Sequence, residues 1–274
     1  INFPTFLNAD LGPSPQPESV LNIIDIESNK FTGILQRHHN ILLIKKSSNF
    51  SVQLKNDVFA KNQTVIILSC NSNKDLILNK EKIRQLNEDI KTIEITRLIE
   101  SLKKRSNKDL QNKIFENHHV SLLIPSGFFL AHLEKDLTWI RRETPKLSQG
   151  VFVANIQPEM QQLFFAEPSR AIDSIIKHHI LGPVSGSYMT TDENALVQQD
   201  SISINGIEMI KQQSLWRMQN DFMGGIYLSY IFKGSPHKSP FIIYTYLYSP
   251  GEPKKTPLIQ LEAIIRTLKL KSYN

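Results

Sequence analysis

The stretch HHVSLLIPSGFFLAHLEKDLTWIRRETPKLSQGVFVANI, residues 118–156, decides the fold. Four apolar runs, residues 120–124, 128–132, 138–142 and 151–156, are separated only by residues 125–127, 134–136 and 145–150. Alternating apolar and polar residues in runs this short read as strands. Parallel neighbours need long crossovers, so these brief turns predict antiparallel pairing. Downstream, residues 202–204, 208–218, 226–232 and 241–248 continue the strand pattern, the last two as a hairpin with a long polar loop.

Helices are expected on both sides of this block. In residues 74–104, Ile83, Leu86, Ile90 and Ile93 step by three and four, and Leu98 and Leu102 repeat the spacing, predicting one or two amphipathic helices. Ser169, after Pro168, reads as the cap of a helix whose apolar stripe is Ile172, Ile175, Ile176 and Ile180, stopped by Gly182 and Pro183. Thr256 reads as the cap of a last helix, with Leu258, Leu261, Ile265 and Leu268 facing the core. Upstream, residues 1–19 read as irregular, residues 20–26 as extended, residues 30–37 as a short helix, and residues 41–44 and 65–69 as buried strands.

The expected class is α+β, mainly antiparallel sheet with helices packed on one face. Residues 65–86 and 241–265 both run strand, polar loop, helix, so two similar lobes are a possibility. The polar segment 106–117 is the expected boundary between a first half, 20–117, and a second, 118–274.

The 274 residues are 40% apolar and 21% charged, with 11 Gly and 14 Pro, which excludes collagen-like, coiled-coil and wholly disordered classes. The longest strongly apolar stretch, residues 241–248, is far below the roughly 20 residues a spanning helix needs. The net charge is +6, but lysine and arginine are spread along the chain. The densest cluster, Lys103, Lys104 and Arg105, reads as the cationic end of a helix, so no nucleic-acid partner is expected. Cys70, the single cysteine, forms no internal disulfide and reads as a small buried residue at the end of a strand. The chain starts at Ile1 without an initiator Met, which fits either a processed mature form, with an export signal removed, or a trimmed chain.

Motifs for catalysis are sparse. There is no G-x-S-x-G, C-x-x-C, P-loop or G-x-G-x-x-G, and the two S-x-x-K matches, at Ser101 and Ser235, lack companion elements. Three histidine pairs occur, His38–His39, His118–His119 and His178–His179. Neighbouring side chains diverge on strand or helix, so each pair offers at most one good ligand; no metal and no cofactor are expected. Three stretches do suggest a groove for a small or extended ligand. Trp139 and Arg141 share a strand face; Trp216 precedes a turn containing Asn220 and Asp221; Tyr188 sits in a loop after a helix.

These stretches also carry a resemblance. Residues 15–18 (PQPE), 36–42 (QRHHNIL), 139–144 (WIRRET), 148–150 (SQG), 182–183 (GP), 186–191 (GSYMTT), 215–216 (LW), 220–225 (NDFMGG) and 261–264 (LEAI) run in order along the chain. They resemble the signature of a family of Gram-negative bacterial envelope lipoproteins known as a domain of unknown function. His39 stands where that family suggests arginine, and Ile226–Tyr227 where it suggests Pro–Phe. The resemblance implies an export signal and a lipid-modified cysteine upstream of Ile1, hence a cell-envelope location with a membrane reached only through the anchor. It implies no activity. The expectation is a binding or assembly module for an envelope component or small ligand, with a hydrolase of envelope or dietary polymers as one alternative and a basic nucleic-acid binder as another. Its candidate binding residues are Arg37, Trp139, Arg141, Tyr188, Trp216, Asn220 and Asp221, with no catalytic residue named.

Overall fold

A computed structural model describes Leu7 and residues 10–235 and 239–270, and these divide into two compact units. Residues 236–238 of the second S-x-x-K match, and most of the first nine residues read as irregular, lie outside the described residues.

The first unit holds residues 1–10 and 19–94. Its strands are β1 (Asn40–Lys46), β2 (Ser51–Asn56) and β3 (Thr64–Cys70), in the order β1-β3-β2, with β1 parallel and β2 antiparallel to β3. β3 is the central strand and the most apolar, as its two-sided burial requires. Ser72 and Asp75 form a capping box that starts α1 (Asn73–Leu78), and α2 (Lys80–Lys103) follows, its residues from 95 onward counted with the second unit. Leu76, Ile83, Leu86 and Ile90 pack with Ile66, Leu68 and Cys70 in one core, so Cys70 is the buried residue its setting predicted. Residues 20–26 form no strand, and 30–37 form only short 3-10 turns.

The second unit holds residues 11–18 and 95–274. Within the segment 106–117, read above as a boundary, lies most of a helix, α3 (Lys108–His118), capped by Asn107. Leu110, Ile114 and His118 step by four and are buried, and His118 bonds Thr138 at 2.8 Å. One polar residue in that stripe hid the helix from a reading of apolar periodicity. There follow β4 (Val120–Ser121), β5 (Phe129–Glu134), β6 (Leu137–Thr144), β7 (Leu147–Asn155), α4 (Pro158–Ala166) and α5 (Pro168–Ile176). The chain continues with β8 (Tyr188–Thr191), β9 (Gln198–Ile204), β10 (Ile207–Gln219), β11 (Gly224–Phe232), β12 (Phe241–Tyr248), α6 (Lys255–Arg266) and β13 (Lys269–Leu270). Eight strands make one antiparallel sheet, β5-β6-β7-β12-β11-β10-β8, with β9 also paired to β10.

The class is α+β and mainly antiparallel. Helices cover both faces of the large sheet, however, where one face was expected. Every residue of β12 but Tyr248 is buried, so its two faces both need cover. α4 and α5 pack on Trp139, Phe152 and Tyr244; α6 packs on the opposite face, where the Gln149 side chain donates to the Pro257 carbonyl at 2.8 Å. No described helix is long and apolar enough to cross a membrane.

Two helix starts differ from the reading above. Pro168 itself occupies the first turn of α5, so Ser169 lies inside the helix. α6 begins at Lys255, and Glu18 supplies its acceptors: the carboxylate accepts from the backbone N–H groups of Lys254 at 2.7 Å and Lys255 at 3.0 Å. A cap over two hundred residues away leaves no local trace. Glu18→Ala is expected to lower the stability of the second unit by about 1 kcal/mol, the usual worth of a helix cap, read by urea denaturation. An unchanged midpoint would show that water replaces the carboxylate.

Candidate binding pocket

Alternation along the antiparallel strands determines which side chains reach the pocket. Register pairs Trp139 with Phe152, Arg141 with Gly150 and Glu143 with Ser148; it pairs Phe152 with Tyr244, Gly150 with Tyr246 and Ser148 with Tyr248. All of these therefore share one sheet face. α4 and α5 cover the end around Phe152, and past His179 the chain turns away through Leu181, Gly182 and Pro183. The uncovered end becomes a pocket of about 250 Å³.

Trp216, Tyr246 and Tyr248 form its aromatic side, with ring centroids 6.0 and 6.1 Å from the indole. Met189, Met218 and Met223 contribute flexible, polarisable thioethers, and Ile180, Leu181 and Pro183 complete the apolar wall. The Trp216 indole donates to the Leu247 carbonyl at 3.2 Å and lies over Gly225, its direct partner on β11. Tyr246 lies likewise over Gly150. Burial pushes the Tyr246 hydroxyl up to about 12, so it stays neutral at any physiological pH.

One end of the pocket is polar. Arg141 is ion-paired with Glu143, which also accepts from the Ser148 hydroxyl at 2.8 Å. The guanidinium lies 5.1 Å from the centre of the Trp139 ring, and its Nε is buried with no hydrogen-bond acceptor. The lining residue Leu181 is 69% exposed, and Val184 and Phe222, next in sequence to the lining residues Pro183 and Met223, are 49% and fully exposed. They sit on two loops joined by the Asn220 side chain, which donates to the Gly186 carbonyl at 3.5 Å.

The structure thus brings residues 182–191, expected as a loop but ending in β8, and the turn at 220–225 to one mouth. Among the residues named from sequence, Arg141 and Trp216 line the pocket, and Trp139 backs Arg141. Tyr188 does not line it, because adjacent strand residues face opposite ways and Met189 takes the inward position. Asn220 takes a left-handed conformation (φ 62°), and Asp221 accepts from the Phe222 N–H at 2.6 Å. Both shape the turn that presents Met223, whose carbonyl accepts from the Met218 N–H at 2.7 Å. Arg37 is an exposed residue of the first unit and is not among the lining residues. Sequence reasoning passed over Glu143, Ser148, Tyr246 and the three methionines. The step of two through 139, 141 and 143 was a usable signal for the first; the others needed the strand order.

Comparison with known families gives two matches. Residues 107–267, over half the chain, match the model of a domain of unknown function, DUF4837. Residues 5–103 match a second domain of unknown function, DUF8532. No curated protein matches the chain.

Proposed function

The chain belongs to the DUF4837 family of domains of unknown function, and from its pocket we propose that it is a binding module. Its ligand is an apolar or aromatic group that carries a polar or anionic end, such as the terminal apolar residue of a peptide. The observation that carries this reading is an apolar pocket whose lining residue Leu181 is exposed, with the exposed Val184 and Phe222 next in sequence to the lining residues Pro183 and Met223. Exposed apolar residues grouped at a concave site mark recognition surfaces. Arg141 lies at the polar end, with a donor that lacks an acceptor. The lining supports binding over hydrolysis: Ser148, its one hydroxyl of serine type, donates to Glu143, and no imidazole is among the lining residues.

In the same reading the module works in a Gram-negative cell envelope, lipid-anchored upstream of Ile1. The ordered motifs from Pro15 to Ile264 support this. Labelled fatty acid fed to cells expressing the full-length gene should enter the protein; a soluble, unlabelled product removes the anchor from the proposal.

The pocket is tested with anilinonaphthalene sulfonate, an aromatic anion that fluoresces on burial. One saturable site is expected, with displacement by N-acetylated apolar amino acids and peptides but not by glycans. Leu181→Ser and Phe222→Ser, at exposed positions, should change stability by no more than about 0.5 kcal/mol. Each should weaken the probe by about tenfold, equivalent to 1.4 kcal/mol. Probe binding that ignores both substitutions would sink this reading.

A further inference from the structure

We propose that His132, Glu134 and His179 form a binding site for a divalent transition-metal ion of the zinc type. The site lies on the same sheet face as the pocket but shares no lining residue with it.

The strand geometry builds two of the three ligands. β5 carries an irregularity between Leu130 and His132, where Ala131 has no partner on β6. This extra residue sets His132 opposite Trp139 and Glu134 opposite Leu137, so both point to the face that holds those two buried side chains. Spacing of i and i+2 on a strand brings an imidazole and a carboxylate side by side. The third ligand arrives from the turn after α5, where the His179 N–H donates to the Ile176 carbonyl at 3.0 Å. Phe152 backs it, with ring centroids 6.2 Å apart.

One ligand atom from each residue lies within 4.8 Å of the other two. Zinc held at about 2.0–2.1 Å by tetrahedral donors keeps those donors about 3.3 Å apart, so modest side-chain rotation closes the set. The His132 ring meets the Glu134 carboxylate at 2.7 Å and lies 5.1 Å, centre to centre, from the His179 ring. Two imidazoles with one carboxylate favour zinc, cobalt, nickel or copper over magnesium or calcium, which take oxygen donors. His132 and Glu134 keep 39% and 58% of their side-chain surface exposed, which leaves an entry path and room for water or a ligand donor at the remaining positions. The pairs His38–His39 and His118–His119 do not take part. From the pair His178–His179 the site uses only one ring, as divergence of neighbours requires.

The test is a titration of the chelator-treated chain with Zn²⁺, followed by calorimetry, and with Co²⁺, followed by visible absorption. One equivalent should bind, and Co²⁺ should give ligand-field bands between about 500 and 650 nm, as expected of a four-coordinate site. Glu134→Gln and His179→Asn, both at least partly exposed positions, should each weaken binding by about tenfold or more. His39→Ala should leave it unchanged, and far-ultraviolet circular dichroism should show all three variants folded. Binding that survives both ligand substitutions, binding abolished by His39→Ala, or no stoichiometric uptake overturns the assignment. Intact metal binding with no anilinonaphthalene sulfonate binding would defeat the pocket reading alone.

Discussion

Gly225→Ala is expected to destabilise the second unit by about 3 kcal/mol, the upper range for overpacking a core. A Cβ at this position would run into the Leu247 backbone carbonyl oxygen and stand 2.9 Å from Trp216 Nε1. The carbonyl belongs to β12, held by ladders on both sides, so it cannot retreat. The indole cannot turn away without giving up its bond to that same carbonyl. Glycine is therefore required here for close approach rather than for a positive φ. Both tryptophans, Trp139 and Trp216, lie in the second unit, so their fluorescence during urea unfolding reports that unit alone. A loss below about 1 kcal/mol would mean that the strands separate to admit the methyl group and that the indole is not locked over Gly225. Gly150→Ala should act in the same direction with a smaller effect, because its obstacle is the Tyr246 ring rather than backbone.

The second large effect is expected at Glu262 on α6. Its carboxylate is 4% exposed and pairs with Lys211, itself 14% exposed, at 3.1 Å; Arg266 stands 3.8 Å away. The buried Tyr230 hydroxyl, in register with Lys211, has no hydrogen-bond partner, and burial holds it protonated well above its ordinary range. Removing one charge from a buried pair leaves the other in a low-dielectric setting, which costs about 3 kcal/mol or more. Glu262→Gln should show this loss in the tryptophan-detected transition. The double variant Lys211→Met, Glu262→Leu should recover most of it, because apolar replacements fill the same space without desolvated charge. If the single and double variants unfold at the same urea concentration, the ion pair does not hold α6 to the sheet.

Local periodicity made much of the fold legible. The strand expected at residues 241–248 is β12, Phe241–Tyr248; the stretch after β3 forms the capped α1 and then α2, which carries the stepping leucines and isoleucines. α3 and the start of α6 were not legible. One uses a histidine as an apolar-stripe residue, and the other takes its cap from Glu18. The same distinction runs through the site. Trp139 and Arg141 could be paired on one face from their spacing alone. Tyr188 reads as a loop residue in the sequence but opens β8, and only the pairing with β10 shows that its neighbour Met189 faces inward.

The sequence by itself determined many of the strands, several of the helices and the mainly antiparallel class, because apolar spacing, turn residues and short connections act over a few residues. It also carried the motifs that set the chain among domains of unknown function. Only the tertiary structure decided the strand order, the helices on both sheet faces, the apolar lining of the pocket, and the meeting of His132, Glu134 and His179. Each of these joins residues far apart in the chain, and their meeting depends on register and on close approach at glycine, which no local pattern encodes.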